Sequence, residues 1–261
     1  MLIERIPELI KQNKTVALVT VTSATGSTPA EVGKDMLVDA SGNIGGTIGG
    51  GNLEHVAIEK AKESLSRSLS GFFSYDLKND LGMECGGQVD IFIKVYSPPT
   101  LLVLVGAGHV GRAVYQFARI LGYDTVVIDD RPDVAAPPFF PEAKAVIVGD
   151  IGKECEKLQF SPDNTYVVIA THGHKHDEIA LYHLIQKKPT YIGVIGSRNK
   201  VKVMMDSLEQ KGIARCDLDA VYTPIGIALG GGQPAEVALS IISEILLVKN
   251  GGSLTHMKAR K

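Results

Sequence analysis

Hydrophobic and polar residues recur with different periods along the chain, and the pattern changes near residue 100. Before that point, apolar residues at helical spacing predict an amphipathic helix over residues 2–13. A glycine triplet leads into a second predicted helix over 52–70, with Asn52 as its N-cap. Strand-like runs cover 15–22, 35–39, 44–48, 72–76 and 88–96, with a turn at 40–43 and a loop at 23–33. This mixture predicts a small α+β domain.

The second part of the chain alternates between short apolar runs and helical patterns. Strands are predicted over 101–105, 125–129, 143–148, 166–170 and 191–195, and helices up to 121 and over 177–186, 198–211 and 234–248. This succession predicts a parallel, doubly wound sheet. The Ser-Pro-Pro-Thr run at 97–100 suits neither a helix nor a strand, so it separates the two patterns. We therefore predict an α+β domain over 1–97, a Rossmann-like domain over 98–250 and a loose tail over 251–261.

The composition is that of a globular protein and argues against several classes of partner. Of 261 residues, 44% are hydrophobic and 21% charged, and the net charge of −2 does not favour nucleic acid or an anionic membrane. No apolar run reaches the roughly 18 residues that a membrane span needs, and the first residues lack a signal-peptide pattern. Cys85, Cys155 and Cys216 are far apart and odd in number, so we expect a cytoplasmic protein without a disulfide framework.

The strongest chemical motif follows the first strand of the second domain. It consists of Gly106, Gly108 and Gly111, with His109 between them. In dinucleotide-binding folds, glycines at this spacing allow a tight turn, the close approach of a pyrophosphate, and close packing of the helix on the strand. The motif predicts a phosphorylated ligand. The fold alone leaves open whether an oxidoreductase uses it for NAD(P) or whether the site is repurposed.

An acidic residue accompanies this motif. Asp129 ends the next predicted strand, 18 positions after Gly111, where an acid that binds a ribose hydroxyl is expected. Asp130 and Arg131 follow it directly.

Three histidines follow the predicted strand 166–170. His172, His174 and His176 stand at alternate positions, with Asp177 beside the last of them. Loops at the carboxyl ends of parallel strands line ligand sites, and three imidazoles suit a zinc ion. The spacing is similar to that of metallo-β-lactamase-like hydrolases, with two positions exchanged. One interpretation is therefore a metal-dependent hydrolase. The other is a polar loop in which one histidine donates to a phosphate or an acid.

Several other segments offer polar or reactive groups. Cys85 lies between an acid and two glycines, so its thiolate is a candidate to carry sulfur or bind a soft metal; an inert loop cysteine is the alternative. Ser27 lies in a hydroxyl-rich loop suited to an oxyanion or a phosphate. Ser197 and Arg198 begin a predicted helix, where Arg198 and Lys200 are candidate phosphate ligands.

Two glycine triplets precede predicted helices and resemble each other. Gly49, Gly50 and Gly51 are followed by Glu54, and residues 230–232 are followed by the 234–248 helix. Each start offers backbone N–H groups and the positive end of a helix dipole to an anion. Tight packing is the alternative explanation for such glycines.

Taken together, the motifs resemble those of the XdhC/CoxI family of xanthine dehydrogenase accessory proteins. In the first domain these are Gly-Ser-Thr-Pro at 26–29, the glycine-rich run at 45–54 and Cys-Gly-Gly at 85–87. In the second they are Gly-Ala-Gly-His-Val-Gly at 106–111, Asp-Asp-Arg at 129–131, the histidine segment at 171–177, Ile-Gly-Val-Ile-Gly-Ser-Arg at 192–198 and Pro-Ile-Gly at 224–226. The ordered set covers nearly the whole chain and is specific for the family, whereas no single motif is.

The resemblance implies a factor that binds the molybdenum cofactor (molybdopterin), a pterin dithiolene with a phosphate. Family members protect this cofactor while a terminal sulfur is installed, and then deliver it to a molybdenum hydroxylase of the xanthine dehydrogenase type. A cysteine desulfurase is the implied sulfur donor, and Cys85 is a candidate contact for molybdenum or sulfur. Independently of the resemblance, the apolar face of the predicted helix 234–248 is a candidate homodimer surface. The implied cofactor-binding residues are Gly49, Gly50, Gly51, Glu54, Gly106, Gly108, His109, Gly111, Asp129, Arg131, His172, His174, Ser197 and Arg198.

Overall fold

The computed structural model describes residues 2–82, 86–256 and 258. The chain divides into two compact units, Met1–Pro98 and Pro99–Lys261, each with its own sheet. Among the described residues, no helix combines the length and apolarity needed to cross a bilayer.

The described residues of the first unit form a five-stranded antiparallel sheet with two helices. Its elements are α1 (Leu2–Lys11), β1 (Val16–Thr25), β2 (Asp35–Asp39), β3 (Gly42–Gly46), α2 (Gly51–Arg67), β4 (Gly71–Asp76) and β5 (Gln88–Tyr96). The strand order is β3-β2-β1-β5-β4. Alternate residues of β1 face opposite ways: Ala17 and Val19 lie in the core that includes Leu53 of α2, while Val16 and Leu18 pack with Ile6 of α1.

Two local predictions in this unit were wrong, and the strand predicted over 44–48 lies two residues earlier, as β3. Residues 23–25 continue β1 instead of beginning a loop, because they pair with the start of β5 after a shift in register. The N-cap of α2 is Gly50 and not Asn52. The Asn52 side-chain amide instead donates to the carbonyl of Leu81 over 2.6 Å, which ties the helix start to a neighbouring loop.

The second unit is a parallel five-stranded sheet with helices on both faces. Its elements are β6 (Leu101–Val105), α3 (His109–Ile120), β7 (Asp124–Asp129), β8 (Ala145–Val148), α4 (Ile151–Lys157), β9 (Thr165–Ile169), α5 (His174–Ile185), β10 (Tyr191–Val194), α6 (Arg198–Gln210), α7 (Arg215–Asp219) and α8 (Pro234–Asn250), with 3₁₀ turns at Pro137–Phe139 and Pro162–Asn164. The strand order β10-β9-β6-β7-β8 is the Rossmann order. The predicted fold class is confirmed.

The helices of this unit form two layers around the sheet. α3 and α8 cover one face, where Leu102 and Leu104 of β6 pack with Ile241 of α8. α4, α5 and α6 cover the other face, where Val103 of β6 packs with Leu181 of α5. Ile241, Ile242 and Ile245 of α8 are buried inside this core. Much of the apolar face that was predicted for a homodimer is therefore used within the unit, and the homodimer stays a prediction.

Three helical features were absent from the prediction or misplaced in it. α4 and α7 were not predicted, since helices of seven and five residues are too short to show a clear apolar period. The start of α4 does carry a readable signal, because the Asp150 side chain accepts from the backbone N–H of Lys153 over 2.9 Å. α5 begins at His174, three residues earlier than predicted, so two of the three histidines lie in its first turn.

Candidate ligand site at the carboxyl edge of the parallel sheet

The turn between β6 and α3 has the geometry that its three glycines predict. Gly106 has φ +115°, and a Cβ there would fall on the carbonyl oxygen of Ala170. A Cβ at Gly111 would fall on the carbonyl oxygen of Gly106. At Gly108 no described atom lies within 4 Å of the position that a Cβ would take, so the backbone is open to a ligand. The outer glycines thus serve packing and the middle one leaves an approach.

The first turn of α3 is available to an anion. Its N-cap, Gly108, offers no side chain, and within the described chain no side-chain cap and no acidic first-turn residue is found there. His109, the first helical residue, is exposed. Backbone N–H groups at a helix start lack intrahelical partners and lie at the positive end of the dipole. This start therefore suits a phosphate.

The helix start at the first glycine triplet, residues 49–51, differs because a carboxylate of the protein itself binds there. Glu54, in the first turn of α2, accepts from the backbone N–H of Gly50 over 3.1 Å and from the hydroxyl of Thr47 over 2.5 Å. Gly49, with φ +130°, packs against the backbone of Pro29, while Gly50 and Gly51 also have positive φ. Glu54 thus lies where an anionic ligand was predicted.

The second triplet repeats this arrangement. Glu236 of α8 accepts from the backbone N–H groups of Gly232 and Gln233, each over 2.9 Å. Gln233 completes a reciprocal capping box with Glu236. The resemblance between the two triplets is therefore physical: in each, a first-turn glutamate bonds back to the glycine-rich approach.

We expect Glu236→Gln to lower the free energy of unfolding by about 1 kcal/mol, because it weakens two charge-assisted bonds at the start of α8. The midpoint of urea unfolding measures this loss. Glu209→Gln is the control, since Glu209 pairs with Arg215 at an exposed site and an exposed pair contributes little. Equal losses in the two variants would contradict a specific capping role for Glu236.

Asp129, the predicted ribose ligand, is held by the protein itself. Its side chain is 1% exposed, and Oδ2 accepts from the backbone N–H of Ala107 over 2.7 Å. Arg131 supplies three more donors, its backbone N–H and Nε to Oδ1 and its Nη2 to Oδ2, at 2.8–3.0 Å. Burial acts to raise the pKa of the Asp129 carboxyl, but the hydrogen bonds from Arg131 and Ala107 outweigh it and lower that pKa to about 2. All four lone-pair positions are used, so a ribose hydroxyl would have to displace a donor.

The structure brings His172 and His176 together, but not with His174. Asp130 lies close to both rings: its Oδ1 is 3.6 Å from Nδ1 of His172, and its Oδ2 is 3.9 Å from Nε2 of His176. The ring centroids of the two histidines are 4.7 Å apart. Among the described residues, these three form the only group of His, Cys, Asp or Glu side chains whose ligand atoms lie close enough together to hold a metal ion.

His174 lies apart because α5 has already begun at that residue. Positions i and i+2 of a helix point in very different directions, so His174 and His176 cannot face one another. Instead, Nδ1 of His174 lies 3.9 Å from Oδ2 of Asp177. The predicted three-histidine set is therefore corrected to Asp130, His172 and His176.

Asp177 fixes the loop that carries His172. Its Oδ1 accepts from the backbone N–H of Thr171 over 3.0 Å and from the hydroxyl of Thr171 over 2.6 Å. Burial raises the pKa of the Asp177 carboxyl despite these bonds. Asp177 is thus a positioning residue for the loop between β9 and α5.

The remaining predicted residues lie at two other places. Ser197 is the exposed N-cap of α6, which begins at Arg198, and its side chain makes no capping bond. In the first unit, a Cβ on Gly26 would lie 3.0 Å from Cα of Gly87, so these two glycines of the predicted motifs lie close together. Cys85 itself lies outside the described residues.

Sequence reasoning missed the roles of Asp130 and Arg112. Asp130 follows β7 and His172 follows β9, and these strands flank β6, so the strand order would have brought them together. The Arg112 guanidinium donates to the carbonyls of Ala107 and Val134 and stacks on Phe139, with Cζ 3.4 Å from the ring centroid. No sequence signal distinguishes Arg112 from other helical arginines.

Comparison with known proteins agrees with this architecture. The family model described as the XdhC Rossmann domain matches residues 102–245, and the model of the XdhC and CoxI family matches residues 9–76. The chain belongs to the XdhC and CoxI family.

Individual relatives extend the comparison. The chain is 36% identical over 248 residues to YqeB of Escherichia coli, a protein described as uncharacterized, with 93% of this chain and 45% of YqeB covered. It is 29% identical over 157 residues to a Bacillus subtilis protein described as a probable subunit of xanthine dehydrogenase, with 60% of this chain and 45% of that protein covered. The chain thus spans less than half the length of these two relatives.

A solved structure is similar along nearly the whole chain. A crystal structure described as a xanthine dehydrogenase from Bacillus halodurans has a TM-score of 0.53 and 22% identity, with 97% of this chain and 96% of that chain covered. At this identity the likeness concerns the fold.

Proposed function

We propose that the chain is a cytoplasmic accessory factor of a xanthine dehydrogenase-type molybdenum hydroxylase, and that it binds the molybdenum cofactor, supports its sulfuration by a cysteine desulfurase and delivers it to the hydroxylase. Membership of the XdhC and CoxI family and the relative described as a probable xanthine dehydrogenase subunit support the association. The observation that carries the cofactor proposal is the open start of α3 beside Gly108.

The open helix start fits a phosphate, and the hydrogen bonds of Asp129 argue against a conventionally bound NAD. Gly108 leaves room for a phosphate at the first turn, which the phosphate of the cofactor would fill. A conventionally bound NAD also uses an acid for its ribose, and Asp129 already accepts four hydrogen bonds inside the protein. This combination favours the cofactor over NAD.

The residues that would hold the cofactor's phosphate are the backbone of Gly108 and His109, at the positive end of α3. When bound, the cofactor supplies the molybdenum centre on which the sulfur is installed. Cys85, in the Cys-Gly-Gly motif of the first unit, is our candidate contact for molybdenum or for the sulfur in transit.

Mass spectrometry of ligands released from protein co-expressed anaerobically with the cofactor pathway tests the proposal. We expect a pterin at about one per chain and no turnover of NADH or NADPH. Gly108→Val should lower pterin occupancy at least tenfold by covering the helix start. Gly232→Val is the control, because it is equally open but lies at a helix start that Glu236 already caps. Nicotinamide turnover without pterin, or equal losses in both variants, would overturn the proposal.

Cys85→Ala tests the sulfur step separately. We expect it to retain the pterin but to lower activation of a co-expressed client hydroxylase at least tenfold, because the candidate sulfur contact is lost. Cys216→Ala, which removes an exposed thiol, is the control. Full client activation by Cys85→Ala would show that the cysteine is dispensable.

A further inference from the structure

Asp130, His172 and His176 meet at the switch point of the parallel sheet. Asp130 follows β7, and the loop with His172 follows β9, while β6 lies between these two strands. The group therefore forms at the edge where β6 passes into the glycine turn, the usual place for ligands in open α/β sheets. His176 joins it from the first turn of α5.

The contacts within this group leave two of its buried polar atoms without a hydrogen-bond partner among the described residues. The separations of 3.6 and 3.9 Å between Asp130 and the two imidazoles are too long for hydrogen bonds. Oδ1 of Asp130 and Nδ1 of His176 are buried atoms without a hydrogen-bond partner among the described residues. Buried polar atoms are normally paired, so the unpaired Oδ1 of Asp130, which is the oxygen nearer to His172, indicates a missing ligand at this carboxylate.

The neighbouring guanidinium of Arg131 does not satisfy the Asp130 carboxylate. Nε of Arg131 is 4.0 Å from Oδ1 of Asp130, and the same nitrogen donates to Asp129 over 2.9 Å. Nη2 of Arg131 is also bound to Asp129. The guanidinium is therefore committed to the adjacent acid, and the Asp130 carboxylate faces two imidazoles.

We propose that Asp130, His172 and His176 bind one divalent transition-metal ion of the Zn²⁺ type. One ligand atom from each residue lies within 4.8 Å of the others, and metal–ligand bonds of about 2.0–2.2 Å require only modest side-chain rotations to close the group. Two imidazoles with one carboxylate suit Zn²⁺, Fe²⁺ or Co²⁺, whereas Mg²⁺ and Ca²⁺ prefer oxygen ligands.

The site would keep a coordination position open. The side chains of Asp130, His172 and His176 are 31%, 39% and 35% exposed, and three protein ligands leave a fourth position for water or an external ligand. This is the arrangement of reactive or ligand-binding zinc sites and differs from closed structural ones. The metal site is independent of the proposed cofactor function, since that proposal rests on the α3 start and on Cys85.

Metal titration of the chelator-treated full chain tests this site. With Zn²⁺ alone in calorimetry, and with Co²⁺ alone in visible absorption, we expect one ion per chain. His172→Ala and Asp130→Asn should weaken Zn²⁺ binding at least 100-fold, since each removes one of three ligands. His174→Ala is the matched control, because it removes a histidine two positions away that does not join the group, and it should bind as the unaltered chain does.

Two further measurements test whether the variants are folded and whether a cysteine binds the metal. Unchanged far-UV circular dichroism shows that the His172 variant is folded, which its exposed loop position favours. Cys85→Ser and Cys216→Ser should keep the Co²⁺ spectrum, which would then lack thiolate charge-transfer bands. Absence of stoichiometric Zn²⁺ and Co²⁺ binding, a loss in His174→Ala equal to that in His172→Ala, or dependence on a cysteine would each overturn the proposal.

Discussion

Gly106→Ala is expected to lower the free energy of unfolding of the second unit by about 4 kcal/mol. Two effects combine: backbone strain of about 1–3 kcal/mol, because φ is +115° at this residue, and a similar cost for the clash of the new Cβ with the Ala170 carbonyl. Urea unfolding followed by circular dichroism measures the loss. Hydrogen exchange in β6 and β7 assigns it to this unit.

Gly108→Ala provides the matched comparison two residues away. Its φ of −67° suits alanine and no described atom lies within 4 Å of the added Cβ, so its stability should stay within about 1 kcal/mol of the original. If the two alanine variants unfolded at the same urea concentration, the described turn would be wrong. An insoluble Gly106→Ala beside a soluble Gly108→Ala agrees with the expectation.

Asp129→Asn is expected to lower the free energy of unfolding by about 3 kcal/mol at pH 7. It removes one partner of a buried ion pair and places an amide donor among the donors of Ala107 and Arg131. Asp124→Asn, at the other end of β7, is the control, since Asp124 forms an exposed pair with Lys144 and should lose less than about 1 kcal/mol. Equal losses of unfolding free energy in the two variants would show that the buried pair of Asp129 and Arg131 contributes no more than an exposed pair.

The same carboxylate predicts a dependence on pH. The pKa of Asp129 is about 2 in the folded chain and 3.8 ordinarily, so its stabilisation is fully present above about pH 4 and is lost as the pH falls toward 2. The difference corresponds to about 2 kcal/mol. Asp177 has a raised pKa, so its effect on stability changes with pH in the opposite direction. It is present in both proteins, so this effect cancels when their stabilities are compared. The stability difference between the original chain and Asp129→Asn should therefore shrink between pH 4 and pH 2, and a constant difference would contradict the assigned pKa.

The sequence predicts the framework of this protein because its long elements bury regular apolar patterns. β6 and β5 have the predicted bounds, and the change of period near residue 100 predicts the Rossmann-like sheet. The start of α5 escapes prediction because His174 to Asp177 carry no apolar period. The helix begins there with the backbone N–H groups of His176 and Asp177 bonded to the carbonyl of Gly173, and an apolar period does not report such bonds.

The site is predicted in part for a similar reason. Glycines at 106 and 111 report local backbone geometry, which sequence spacing encodes well. The partner of His172 is Asp130, 42 positions earlier in the sequence, and only the order of the strands brings them together. The bonds from Arg131 to Asp129 depend on a side-chain conformation that no motif specifies.

The glutamates at the starts of α2 and α8 have a consequence for ligand selectivity. Each is a tethered competitor, and short tethers give effective concentrations of about millimolar or more. A free phosphate compound at micromolar concentration would not displace Glu54 or Glu236 from the glycine amides. Of the three glycine-rich helix starts among the described residues, only that of α3 lacks an acidic residue in its own first turn; Asp129 binds the Ala107 amide ahead of the helix, but no side chain caps the start itself. We therefore expect a phosphorylated ligand to bind at the α3 start in preference to the other two.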